Sequence, residues 1–304
     1  MKVIVTGSEG FIGSNLVYEL IKRGNHVIGL DKLRAKKSNH LKKKNYFFFK
    51  KDVKKKNIKK YFNNADCIVH LAAGTNVINS IKNPRRSFED NLTTNINILE
   101  IAKDLNINKI IFASTGGAII GDNKGKKTDE KSEANPHSPY GAFKLSSEII
   151  NNAYSSCYKL KVINLRFSNV YGPHSIHKKN LIPNIFKSIV KKKFVKLNGD
   201  GKQSRDFIYV GDVVDAIIKA IKYKNYGTFN VCYGRSITVN NIIKKIENIS
   251  KKKIKLSYKK LIPGEVKHSI LNNFKIKKKL GFEINHSLDL GLKKTWLWFK
   301  ENYK

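Results

Sequence analysis

Cysteine is scarce in this chain of 304 residues: Cys67, Cys157 and Cys232 stand far apart and are odd in number. They build no disulfide framework and lack metal-site spacing, which suits reduced thiols in a cytoplasm. No apolar run approaches the roughly 18 residues that a spanning helix needs. The N-terminus enters a strand-like segment at once, without the charged and apolar regions of a secretory signal. A cytoplasmic protein without membrane attachment is therefore expected. Acidic residues are also few, 23 against 60 basic ones, for a formal net charge of +37. Such a balance raises the question of a nucleic-acid partner. Yet only seven of the basic residues are arginine, and the lysines are scattered in short runs such as 54–56, 191–193 and 251–253. No aromatic residues interleave with them to stack bases. They read as solvated faces with no specific nucleic-acid partner, and their field favours encounter with an anionic substrate.

What is present begins at residue 3. The apolar segment Val3-Ile-Val-Thr6 runs straight into Gly7-x-x-Gly10-x-x-Gly13 and then into a helical pattern through Arg23. A strand, a glycine loop and a helix in that order form a dinucleotide site. Gly7 allows the tight turn, Gly10 lets backbone approach a pyrophosphate, and Gly13 lets helix and strand pack closely, with the helix N-terminus facing the anion. The next strand-like segment, His26 to Leu30, ends in Asp31. A carboxylate about 20 residues beyond the loop accepts hydrogen bonds from a ribose 2′-hydroxyl and repels a 2′-phosphate, which favours NAD over NADP. Lys32 and Arg34 beside it work against that preference.

Strand-like and helix-like segments alternate through Phe167: strands at 2–6, 26–30, 46–50, 67–71, 109–113 and 161–167, helices at 11–23, 54–62, 86–105 and 140–157. The fold class predicted is α/β, a doubly wound parallel sheet of Rossmann type with a smaller C-terminal substrate lobe. Residues 1–170 form the expected NAD-binding domain, segments within 205–232 return to it, and 171–304 mainly make the lobe. Residues 39–45 read as a surface loop.

Tyr140-Gly-Ala-Phe-Lys144 puts a phenol and an ammonium four apart on one helix face. A lysine there lowers the phenol's pKa and can bind a nicotinamide ribose, so the tyrosine exchanges a proton with a substrate hydroxyl. Upstream, Ile110 to Thr115 is a strand ending in the hydroxyls of Ser114 and Thr115, which would face the crevice where cofactor and substrate meet. By a more structural reading, His70 is a cleft-wall residue, Asp212 an N-cap, Tyr171-Gly-Pro173 a chain reversal and Arg166 an ion-pair partner.

The glycine loop, His70-Leu-Ala-Ala73, Ser114-Thr-Gly-Gly-Ala118, Ser138-Pro-Tyr-Gly-Ala-Phe-Lys144, Leu165-Arg-Phe-Ser-Asn-Val-Tyr-Gly-Pro173 and Arg205-Asp-Phe-Ile-Tyr-Val-Gly-Asp212 share order and spacing with a known group. In them the chain resembles the extended short-chain dehydrogenase/reductases of the NAD-dependent epimerase/dehydratase family, and within these the UDP-glucose 4-epimerases. That likeness extends to the tail at Pro263-Gly-Glu-Val266 and Lys279-Leu-Gly-Phe282. It implies a nucleotide-sugar 4-epimerase, with a UDP-hexose as substrate and bound NAD used and regenerated in each turnover. Tyr140 would exchange the proton of the sugar 4-hydroxyl, Lys144 would tune it, and Ser114 or Thr115 would complete the bridge to the sugar oxygen. Gly7, Gly10, Phe11, Ile12, Gly13, Asp31, Asp52, Val53, Leu71, Ala72, Ala73 and Asn91 would line the cofactor cleft. Asn169, Asn180, Leu181 and Arg205 would hold the nucleotide diphosphate, and a metal has no part in the scheme.

The chain departs from the family pattern at Ile262, where an arginine that contacts the nucleotide is expected and where Lys259 or Lys260 would have to substitute. It departs again at Ile120, which replaces an aromatic. Gly116-Gly117 stands where a 4,6-dehydratase carries an acid/base pair, which argues against that reaction. A UDP-uronate decarboxylase is the remaining enzymatic alternative. A non-catalytic NAD-binding regulator would have little reason to keep Tyr140 and Lys144. A homodimer is expected, built as a four-helix bundle from helices 86–105 and 140–157, whose apolar residues (Leu92, Ile96, Leu99, Leu145, Ile149, Tyr154) face more than one side.

Overall fold

The structure, a computed structural model, describes residues 1–33, 44–259 and 266–303. Arg34, Lys42, Lys43 and most of the 39–45 loop, together with Lys260, Ile262 and the Pro263-Gly-Glu265 segment, lie outside the described residues.

The N-terminal half alternates β1 (Lys2–Thr6), α1 (Phe11–Lys22), β2 (His26–Asp31), β3 (Tyr46–Lys50) and β4 (Cys67–His70). Three helices follow, α2 (Val77–Lys82), α3 (Pro84–Phe88) and α4 (Thr94–Asp104), then β5 (Lys109–Thr115), α5 (Gly117–Ile120), α6 (Pro139–Cys157), β6 (Lys161–Phe167) and β7 (Asn169–Tyr171). Beyond these come α7 (Leu181–Val190), β8 (Val195–Asn198), β9 (Ser204–Tyr209), α8 (Val210–Lys222), β10 (Gly227–Val231), β11 (Ser236–Thr238) and α9 (Val239–Ser250). The chain ends with β12 (Leu256–Lys259), β13 (His268–Ser269), α10 (Phe274–Leu280) and α11 (Leu288–Asn302).

Seven strands form one parallel sheet in the order β10-β6-β5-β4-β1-β2-β3, a doubly wound Rossmann arrangement. Alternation along β1 explains the layering: Val3 and Val5 pack on one face with Leu16, Ile217 and Phe229, while Ile4 packs on the other with Leu30, Ile98 and Leu99. Helix α8 buries Val213, Val214, Ile217, Ile218 and Ile221, a helical spacing that seats it on the first face. Residues 210–231 thus return to the sheet after β7. A second core gathers Ile182, Ile185 and Phe186 of α7, Ile242 and Ile246 of α9, and Phe299 of α11, around the separate sheet in which β9 pairs with β7, β11 and β13. Among the described residues no helix is long and apolar enough to cross a membrane.

The expected helix at 86–105 is not one regular helix. A five-residue π turn, Glu89–Thr93, separates α3 from α4. Periodicity alone missed it, because the flanking apolar residues keep helical spacing through the extra residue. The N-cap expected at Asp212 is also corrected: α8 starts at Val210, and Asp212 sits inside its first turn. There its carboxylate accepts hydrogen bonds from Asn285 N at 3.2 Å and from His286 Nδ1 at 2.8 Å.

Candidate active site

A single cleft of about 850 Å³ opens along the C-terminal ends of β1, β2, β4 and β5 and continues between the sheet and the second core. Its first part is made by the glycine loop. Gly7 has φ +71°, and a Cβ on Gly13 would stand 2.1 Å from Gly7 O, so neither position admits a side chain without moving the backbone. Gly10 is the N-cap of α1 and brings no side chain over the helix end. Phe11 and Ile12, which open the helix, line the cleft there with unclaimed first-turn N–H groups, a cradle that fits a pyrophosphate. Asp31 lies across from it, its carboxylate fixed by Glu9 N and Leu33 N, both at 3.1 Å, and burial raises its pKa. Asp52, Val53, Leu71, Ala72 and Ala73 complete this wall.

Asn91 does not line the cleft. It is buried, and its amide donates to Gly74 O at 3.1 Å and Ser87 O at 2.8 Å, so it braces the loop after β4 from behind. It lies within the π turn Glu89–Thr93. His70 lies beneath the wall as well, its Nδ1 2.7 Å from Thr6 Oγ1, and desolvation pushes its pKa down to about 3, so it stays neutral.

The catalytic candidates meet where β5 ends against α6. Ser138 caps α6, accepting Gly141 N at 3.2 Å, and Pro139 occupies the first turn, so Tyr140 and Lys144 project into the cleft from a fixed helix start. Three successive residues of β5 then grip the helix. Ala113 O accepts Lys144 Nζ at 2.8 Å, the Ser114 hydroxyl donates to Glu148, and Thr115 lines the cleft beside Tyr140 and acts to lower its pKa. The two hydroxyls left open by the sequence are thus separated: Thr115 faces Tyr140, while Ser114 belongs to a buried network. Arg166 on β6, in register with Ser114, closes that network with a forked pair to Glu148 at 2.7–3.0 Å.

Electrostatics at this point differ from the expectation that Lys144 depresses the tyrosine. Burial raises Tyr140 to about 12, with the neighbouring Thr115 hydroxyl opposing, and burial lowers Lys144 to about 7, with Glu148 opposing. The lysine's ammonium turns to Ala113 O and stands 4.6 Å above the Phe112 ring rather than acting on the phenol. Desolvation dominates because both groups sit in the dry seam between strand and helix.

The far part of the cleft is lined by Asn169, Asn180, Leu181 and Arg205. Arg205 is steadied by Ser204 O and Lys267 O, both at 2.9 Å, and Asn169 by Asp206 O at 3.3 Å. Several lining residues escaped the sequence reading: Thr75, His177, Lys178, Gln203 and Ser269. Lys178 Nζ donates to Thr75 Oγ1 at 3.1 Å. The loop before α7 carries none of the motif spacing that marks the glycine loop, so no signal short of the fold would have found it.

Against known proteins, the model of the NAD dependent epimerase/dehydratase family matches residues 3–232. The chain belongs to that family. It is 33% identical over 312 residues to a UDP-glucuronate 4-epimerase of Thermodesulfobacterium geofontis, covering 98% of this chain and 96% of that one. The UDP-glucose 4-epimerase of Thermotoga maritima, solved with UDP-glucose, superposes with a TM-score of 0.95 at 34% identity over 100% of both chains. The UDP-glucose 4-epimerase of Thermus thermophilus, solved with NAD, gives 0.93 at 31% identity over 99% of this chain and 100% of that one. The protein is thus an NAD-dependent enzyme of the epimerase/dehydratase family, and the glycine cradle with Asp31 is where its residues fit the cofactor.

Proposed function

We propose that the enzyme is a UDP-hexose 4-epimerase. The observation that carries this reading is the meeting of Thr115, Tyr140 and Lys144 on one cleft, with Gly116-Gly117 following Thr115 directly. Tyr140 takes the proton of the sugar 4-hydroxyl and later returns it, while Thr115 holds the same oxygen in reach. Lys144, which donates to Ala113 O and lines the cleft one helical turn beyond Tyr140, is placed to hold a ribose hydroxyl. NAD, held by the glycine cradle and Asp31, would supply reversible hydride chemistry at C4. Between the two transfers the 4-keto sugar turns about its phosphate linkage, for which Asn169, Asn180, Leu181 and Arg205 hold the diphosphate end still. Arg205 offers a fork to its oxygens.

The glycines after Thr115 support epimerisation over dehydration on steric grounds. A Cβ on Gly116 would stand 2.2 Å from Leu271 Cδ1, and one on Gly117 would stand 2.7 Å from Ser269 Oγ. A side chain at either position would have to displace the Leu271 or Ser269 side chain, and glycine itself supplies no acid or base. The enzyme also acts, in this reading, as a homodimer through α4 and α6, where Ile96 and Ile149 are exposed, Ile149 at 61%. Leu99, in contrast, is spent on the sheet side.

The test is incubation with UDP-glucose, UDP-glucuronate and UDP-N-acetylglucosamine, together with dTDP- and GDP-hexoses, followed by separation of products. A C4 epimer should form without added NADH and without net change in the reduced-nicotinamide band. Stoichiometric NADH, a 4-keto-6-deoxy sugar, or a pentose with carbon dioxide would overturn the epimerase reading.

A further inference from the structure

The preference for NAD over NADP rests in the sequence on Asp31, and Lys32 beside it works against that preference. The structure shows what becomes of that lysine. Lys32 Nζ is 3.1 Å from Asp90 Oδ1, and Lys54 Nζ, from the segment after β3, is 3.3 Å from the same oxygen. Arg86 stands 3.7 Å from Asp90 Oδ2, and Lys54 also reaches Glu89 at 3.5 Å. Asp90 is well covered, its side chain 14% exposed, while Lys32 remains 51% exposed. The cationic partners hold the Asp90 carboxyl below its usual range, against the opposing effect of burial. Asp31, Lys32, Asp52 and Asp90 all line the same end of the cleft. The other described cation lining that end, Lys51, stands 5.6 Å over the Tyr61 ring.

We propose that Asp90 is a second determinant of cofactor choice, acting by pairing Lys32, the lysine that lines the cleft beside Asp31, so that it is not free to receive a 2′-phosphate. A phosphate monoester carries about 1.5 to 2 negative charges at neutral pH, so it needs a cation that is not already paired. With Asp90 in place, the Asp31 end of the cleft offers carboxylates on two sides and a Lys32 whose charge is already met. The π turn is what makes this possible. Asp90, within that turn, meets the lysine that follows Asp31 although the two lie 58 residues apart along the chain.

The experiment compares NADH and NADPH binding by calorimetry to the nucleotide-stripped protein, its Asp90→Ala variant, and a double variant that adds Lys32→Ala. Asp90→Asn serves as a second, near-isosteric form that keeps the turn should the alanine destabilise it. Removal of the carboxylate should lower the ratio of NADPH to NADH dissociation constants by about fivefold, the scale of one partly exposed ion pair. The gain should shrink at high salt, where exposed charges are screened, and should vanish in the double variant. An unchanged ratio in both Asp90→Ala and Asp90→Asn, or a gain that survives loss of Lys32, would overturn the proposal. Equal weakening of both cofactors would also overturn it, by showing Asp90 to be a brace for the turn.

Discussion

Replacing Lys144 by methionine should make the nucleotide-stripped protein lose a pH dependence of its stability that the parent enzyme has. In the folded chain burial lowers Lys144 from 10.5 to about 7. Between those values the unfolded chain binds a proton that the folded one does not, so stability rises with pH across that window and the penalty is full below it. The slope is at most about 1.4 kcal/mol per pH unit, which gives up to about 2 kcal/mol between pH 7.5 and 9. Neighbouring groups do not mask it. His70 is already neutral, and its contribution ends near the ordinary imidazole value, while Cys67, raised to about 12, enters with the opposite sign only from about pH 9 upward. Lys178 and Lys109 are lowered too, but they are common to both proteins and cancel in the difference. The assay is urea unfolding at several pH values, following the midpoint at constant m. Stability that rises in the parent and is flatter in Lys144→Met would support the reasoning. Parallel pH profiles would refute it and would mean that water or local opening keeps the ammonium solvated.

Tyr140→Phe should lower kcat by roughly 10²-fold or more, as expected for loss of a positioned acid/base, with the melting temperature held; near-normal turnover would assign the proton to another group. Arg166→Met leaves the 3% exposed Glu148 without its partner and should cost about 3–5 kcal/mol in urea unfolding, most of which Arg166→Met with Glu148→Gln should recover. Ile149→Glu should convert a dimer to a 34.7 kDa particle in light scattering, and a parent that already scatters as 34.7 kDa would reject the dimer.

The parallel sheet was legible because each strand announces itself by an apolar run and each crossover helix by its period, and the glycine loop because its geometry tolerates nothing larger. The head of α6 was legible for the same reason: Ser138, Pro139, Tyr140 and Lys144 are local signals for a local structure. What escaped depended on pairing at a distance. Ser114 and Thr115 look alike on the strand. Only the placement of Glu148 and Arg166 beneath one, and of Tyr140 beside the other, separates them. Asn91 sits in an apolar-periodic stretch whose extra residue leaves no mark in the pattern. The action of Lys144 on Tyr140 was misjudged because motif spacing reports neighbours along a helix face, whereas burial is set by the strand that packs on it.

The π turn at Glu89–Thr93 has a consequence for how this chain can change length. Each residue of a regular helix turns the chain by about 100°, so deleting one residue here would restore an unbroken helix and rotate everything on one side of the cut by that angle. The amide that now reaches Gly74 O and the carboxylate that now meets Lys32 would point elsewhere, although no apolar contact of the sheet need be lost. The segment is therefore sensitive to a change in residue number as well as to exchange of Asp90 or Asn91. A gap at 89–93 in a relative's sequence would signal a differently built wall of the cleft rather than a harmless trimming of a helix.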